Sequence, residues 1–184
     1  MEDFLKIVVT LPEFIDNEGK IIEGLLEGFA DYVHIRKPGC SQDQLEILIN
    51  DISPIYRKRL KLHDHFSLAE KYKLGGVQLN SRNPVCDFKN LKLSCSCHSI
   101  ADIECNYKDM EYVTLSPIYD SISKGGYQSK FDINKIKRNI TNKNVIAMGG
   151  VTPEKFPELK NAGFKGAAML GVIWNNIDKF ISRL

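Results

Sequence analysis

Short apolar runs recur along the chain, separated by stretches in which apolar residues return every three or four positions. The runs lie at 4–10 (FLKIVVT), 32–36 (YVHIR), 60–63 (LKLH), 76–79 (GVQL), 91–96 (LKLSCS), 111–116 (EYVTLS), 144–148 and 166–170 (GAAML). Their length and near-continuous hydrophobicity fit strands buried on both faces, as in parallel sheets. Helical patterns lie between them at 21–29, 41–58, 66–73, 100–107, 131–139 and 152–162, and Ile173–Leu184 reads as a closing helix. The segment 80–90, NSRNPVCDFKN, reads as a loop where a fourth helix would stand. At 152–153, Thr152 is placed to cap the helix that follows and Pro153 occupies its first position, where no backbone N–H is required.

Eight strands alternating with helices predict an α/β fold with right-handed crossovers, closing into a (β/α)8 TIM barrel with trimmed helices and loops. With 184 residues and no break in composition, the whole chain, 1–184, is expected to form one domain. A doubly wound open sheet is the alternative, but the first strand is not followed by a G-x-G-x-x-G turn. In a barrel the functional residues belong at the C-terminal ends of the strands. Those ends carry His34, Arg36 and Lys37; His63, Asp64 and His65; Gln78 and Asn80; Ser96 and His98; Ser116; Gly149 and Gly150; and Leu170 and Gly171.

Composition narrows the function classes. A net charge of +2 gives no electrostatic case for nucleic acid. The basic run YRKRLK at 56–61 reads as a solvated turn at a helix end. The apolar runs are too short to span a bilayer, and MEDFLKIVV does not resemble a signal peptide, so neither membrane nor export is expected. Five cysteines, an odd number, have no C-x-x-C pair. Cys95 and Cys97 share one face of a strand, which bars an ordinary disulfide between them. Reduced thiols in a cytoplasmic protein follow.

The candidate chemistry lies on the strand ends. AMGGV (147–151) and GFKGAAMLGV (163–172) would be strands seven and eight, whose loops commonly hold a phosphate through backbone N–H groups. Gly149, Gly150, Leu170 and Gly171 would supply the donors; a tight strand-to-helix connection is the plain alternative. Asp64, in LHDHFSLA, offers one carboxylate to a hard cation such as Mg²⁺, or else caps the next helix. Arg36 offers a planar guanidinium to a diphosphate or an aromatic ring, or else a surface ion pair. Ser121, Ser123 and Lys124 lie in a loop suited to closing over phosphates. Ser96 and His98, in SCSCHS, lack the acid and elbow of a hydrolase triad.

Together, HIRKP, LHDHFSLA, GGVQLNSR, SCSCHS, YVTLSPIYDSISKGG, VIAMGGVTPE and GFKGAAMLGVI resemble, in order and spacing, the thiamine phosphate synthase / TenI family. The resemblance implies a transferase of thiamine biosynthesis. It joins hydroxymethylpyrimidine diphosphate to thiazole phosphate and releases pyrophosphate by a dissociative route. It implies Arg36, Ser96 and Lys124 as catalytic, and Lys37, Ser121, Ser123, Gly149, Gly150, Leu170 and Gly171 as further substrate contacts. Asp64 is implied as a Mg²⁺ ligand. Barrels of this kind often pair, so a homodimer is expected. The chain departs from the family motifs at several points. Pro38 replaces a lysine, with Lys37 beside it; His63 and His65 flank Asp64; and Asn83 stands where the second metal carboxylate belongs. A TenI-like thiazole tautomerase is the first alternative, though Ser116-Pro117 occupies the place of its histidine. A non-catalytic binder of thiazole or thiamine phosphate is the second.

Overall fold

Each apolar run forms a strand, and the eight strands pair in sequence order as a closed parallel barrel. The structure, a computed structural model, describes residues 4–120 and 131–181. The strands are β1 (Leu5–Val9), β2 (Tyr32–Ile35), β3 (Leu60–Leu62), β4 (Gly76–Leu79), β5 (Leu93–Cys97), β6 (Tyr112–Leu115), β7 (Val145–Met148) and β8 (Gly166–Met169). Helices α1 (Glu18–Gly28), α2 (Gln42–Asn50) and α3 (Phe66–Lys71) follow the first three strands. After β5 to β8 come α4 (Ile100–Asn106), α5 (Ile133–Ile140), α6 (Phe156–Asn161) and α7 (Gly171–Trp174). The seam closes by parallel pairing of β8 with β1, in the register Leu5↔Gly166 to Val8↔Met169. Among the described residues no helix is long and apolar enough to cross a membrane.

Helix boundaries follow local chemistry. Ser41 and Gln44 form a reciprocal capping box that starts α2. The helix expected over 41–58 ends at Asn50, because Pro54 biases the residue before it away from the α region. A 3-10 turn over Pro54–Arg59 takes up the remainder. Thr152 precedes a short 3-10 turn with Pro153 at its first position, as expected, but its side chain makes no cap to the backbone. Between β4 and β5 the chain runs without a helix, as its sequence indicated.

Strand alternation divides the side chains into two sets. Outward residues such as Val33, Leu62, Val77, Cys97, Val113 and Ala147 pack with Ile22, Leu25, Ile49, Leu68, Ile103 and Leu159 of the helices in the main core. Cys95 and Cys97 lie together on this outer face, sulfur to sulfur 3.8 Å, and all five thiols are free. Inside the barrel, Ile7, Val9, Tyr112, Ile146 and Ala168 form a second cluster. The rest of the interior is polar: His34, Lys61, His63, Gln78, Ser94 and Thr114 are all buried. At the seam, the indole Nε1 of Trp174 donates to the Val9 carbonyl at 2.8 Å.

One sequence expectation is corrected here. Lys61 was read as part of a solvated basic turn, yet it is fully buried. Its inward parity on β3 points it across the barrel, where it meets Glu111 at 2.7 Å and lies over the Tyr112 ring, 4.2 Å from the centroid. Burial lowers the Lys61 pKa, and the Glu111 carboxylate opposes that shift.

Candidate active site

A cavity of ≈ 210 Å³ opens among the strand ends. Arg36, His63, Asn80, Arg82, Ser96, His98 and Ser116 ring it, and His34, Gln78 and Thr114 form its floor. Val9, Met148 and Ala168 supply the apolar wall on the β7–β8–β1 side. Larger depressions of ≈ 440 and ≈ 630 Å³ lie on the helix surface around Lys137, away from every strand end.

The floor is a hydrogen-bonded chain. His63 Nε2 lies 3.1 Å from His34 Nδ1, and His34 Nε2 lies 2.6 Å from the Tyr112 hydroxyl. Burial, followed by the charges of Arg36 and Arg82, pushes the His63 pKa down to about 3. Burial likewise holds His34 well below the usual imidazole range, reinforced by His63 and Lys61. Both imidazoles are therefore neutral near pH 7. Beside them, Gln78 Nε2 donates to Ser96 Oγ at 3.0 Å and Thr114 Oγ1 at 3.2 Å. Gln78 Oε1 is buried without a hydrogen-bond partner at this floor.

Asp64 follows β3, outside the residues that line the cavity, and does not cap α3; His65, at φ 51, holds the cap position. Instead, Arg82 Nη2 contacts both Asp64 oxygens at 3.2 Å, and Asn83 Nδ2 donates to Oδ1 at 2.9 Å. The turn at 80–83 is itself fixed to β3. Asn80 Nδ2 and Asn83 Nδ2 donate to the His63 carbonyl at 2.9 and 3.0 Å. Sequence reasoning missed Arg82, which appeared there only as one charged residue in a loop. Its role depends on β3 and β4 ending side by side.

Arg36 and Ser96 line the cavity. Lys37 does not: one residue further along the strand, it turns outward and is buried. Its ammonium donates to Leu11 O at 2.9 Å, Glu13 O at 2.5 Å and Glu18 Oε1 at 2.6 Å. This buried ion pair ties the β1–α1 connection to β2 and leaves no donor for a ligand. Gly149 and Gly150 adopt φ 90 and φ 62, in the left-handed region. A Cβ on Gly149 would meet Pro117 Cβ at 2.9 Å, and one on Gly150 would meet Tyr119 Cβ at 2.8 Å. The glycine pair thus admits the loop after β6, whose Ile118 and Tyr119 amides donate to Met148 O and Gly149 O at 2.9 and 3.0 Å. The cavity reaches β7 and β8 through Met148 and Ala168, not through Gly149, Gly150, Leu170 or Gly171. Leu170 leads into the single turn of α7, packing against the interior apolar cluster. Ser121, Ser123 and Lys124 lie outside the described residues.

Comparison with known proteins places this arrangement. The family profile described as thiamine monophosphate synthase matches residues 7–173. The chain belongs to this family. A solved thiamine phosphate pyrophosphorylase from Bacteroides thetaiotaomicron superposes with a TM-score of 0.84 at 34% identity, covering 98% of this chain and 90% of that one. One from Pyrococcus furiosus shares the fold, with a TM-score of 0.77 at 16% identity over 94% of this chain and 88% of that one. Among curated relatives, the thiamine-phosphate synthase of Flavobacterium johnsoniae is 24% identical over 184 residues, covering 91% of this chain and 87% of its own length. In this member of the family Arg82 and Asn83 lie against Asp64.

Proposed function

We propose that this chain is a thiamine phosphate synthase, a transferase that joins hydroxymethylpyrimidine diphosphate to thiazole phosphate and releases pyrophosphate. Family membership carries the reaction class. The observation that supports this site is the cavity's division into a cationic rim and a neutral polar floor. Arg36 and Arg82 stand at the rim, beside the Ser96 and Ser116 hydroxyls, where a departing pyrophosphate needs charge-assisted donors. The C–O bond to the diphosphate breaks with the electron pair leaving on pyrophosphate. The thiazole nitrogen then supplies the pair for the new C–N bond. Between these events the pyrimidine methylene is cationic. A floor of neutral imidazoles, amide oxygen and hydroxyls places lone pairs, not a second positive charge, against it.

The family uses Mg²⁺, and Asp64 is its expected ligand here. The donor set in this chain does not fit that ion. Both Asp64 oxygens face the Arg82 guanidinium, and Asn83 presents its amide nitrogen where a second carboxylate would stand. No step of the mechanism is therefore routed through the ion.

A second reading, thiazole tautomerisation, is favoured by one observation. His98, from β5, sets its Nδ1 3.2 Å from Ser116 O, bringing an imidazole to the end of β6 after all. Incubating the full chain with both substrates, with and without Mg²⁺, separates the readings. Thiamine phosphate formed under either condition supports the synthase. Isomerised thiazole phosphate without coupling supports the tautomerase. Binding without turnover overturns both.

A further inference from the structure

Asp64 carries, in place of a cation, a guanidinium. Three features hold it there. Arg82 Nη2 reaches both carboxylate oxygens at 3.2 Å. Asn83 Nδ2 sits between two acceptors, Asp64 Oδ1 at 2.9 Å and the His63 carbonyl at 3.0 Å, so its amide oxygen faces away from the carboxylate. The Asn80 side-chain oxygen accepts from the Arg82 and Asn83 amides at 3.1 and 3.3 Å. A divalent cation would have to compete with Arg82 and the Asn83 amide for the Asp64 oxygens. It would then have one carboxylate, with Arg36 and the displaced Arg82 repelling it. Magnesium can draw most of its oxygens from water and a diphosphate, so what opposes it here is the guanidinium and amide already seated on its one carboxylate.

The same geometry leaves Arg82 useful to an anion. A single nitrogen makes both contacts to Asp64, and the rest of the guanidinium fork belongs to a side chain that lines the cavity beside Arg36. Arg36 and Arg82, against Asp64 alone, give this side of the cavity a net positive charge.

We infer that this site holds the diphosphate without a divalent cation, the Arg82 guanidinium standing on Asp64 where the metal would be. The inference rests on reading the rim as the diphosphate site, but not on the chain's completing the reaction.

The test uses the full-length protein and inorganic pyrophosphate. Calorimetric titration in EDTA should show binding. Arg82→Gln should weaken it by about tenfold or more, the worth of a charge-assisted bond. Asp64→Asn should retain binding in EDTA, because Asp64 touches Arg82 and not the anion. A metal-bearing site demands the reverse: binding only with a divalent cation, abolished by Asp64→Asn. Mn²⁺ titration followed by its paramagnetic resonance signal should find no saturable site in the wild type. The pair Arg82→Ala with Asn83→Asp should create one. Thermal melts of each variant separate lost folding from lost binding. Absence of pyrophosphate binding in EDTA, or a saturable Mn²⁺ site removed by Asp64→Asn, overturns the inference. Failure to make thiamine phosphate would overturn only the synthase reading.

Discussion

The barrel interior has two unlike halves. From β7 through β8 to β1 the inward side chains are Ile146, Met148, Ala168, Ile7 and Val9. From β2 to β6 they are His34, Lys61, His63, Gln78, Ser94, Ser96, Tyr112 and Thr114, cross-linked by hydrogen bonds and the Lys61–Glu111 ion pair. The apolar half is stabilised by burial and close packing, and any well-fitting set of aliphatic groups could serve it. The polar half must satisfy each donor and acceptor individually, because an unpaired group inside costs more than a hydrogen bond returns. Only the second arrangement confines chemistry to one side, and the cavity's polar lining comes from it. The apolar half gives a ligand a dry wall; the polar half gives it direction.

Breaking the comparison hardest means orphaning a charge. Glu111→Ala leaves the fully buried Lys61 ammonium without its carboxylate and should cost about 3–5 kcal/mol, read from urea unfolding. Lys61→Met, which removes the charge together with its need, should cost far less. Equal losses in the two variants would mean that the pair matters through packing alone.

Acid tests the neutral imidazoles. His63 binds its proton only near pH 3 when folded but near pH 6.5 when unfolded, so the unfolded state takes up more protons between those values. Stability should therefore fall as pH drops below about 6.5, by up to about 1.4 kcal/mol per pH unit for this group, and level off near pH 3. Paired carboxylates such as Glu111 add their own acid sensitivity. In Glu111, burial raises the pKa, but the bonds and charges of Lys61 and Lys92 outweigh it and bring it down. The diagnostic quantity is thus the difference between wild type and His63→Gln, whose stability should decline less steeply. Parallel profiles would show that folding leaves the His63 pKa unchanged.

The smallest expected effect concerns Gln78. Its amide oxygen is already unpaired, so Gln78→Met removes an orphaned acceptor while releasing the Ser96 and Thr114 hydroxyls. These terms oppose each other, and the net change should lie within about 1 kcal/mol. Substrate affinity should nevertheless fall if a ligand donor normally meets that oxygen. A variant that binds normally would assign Gln78 to the scaffold alone.

The eight strands were legible because both-face burial writes itself as short continuous apolar runs. The missing helix after β4 was legible because NSRNPVCDFKN has no helical period. Helix lengths were less so: α2 stops where Pro54 intervenes, a local signal outweighed by the apolar pattern around it. At the site, Arg36 and Ser96 could be placed by strand-end position. Lys37 could have been separated from Arg36 by strand parity, since adjacent residues face opposite sides. Arg82 could not be found this way. What sets it apart is proximity to Asp64, 18 residues away, and linear spacing does not record which loops meet above a barrel. The paired glycines read as a cradle for a phosphate, and in the structure they also admit the chain after β6.

The sole tryptophan of the chain gives this architecture a built-in optical gauge. Trp174 bonds to the carbonyl of Val9, a residue whose side chain borders the cavity, at the junction where the last stave meets the first. Its emission therefore watches one line of closure, free of contribution from any other indole. Parting of that junction would alter the fluorescence of this single ring before the remaining staves separate.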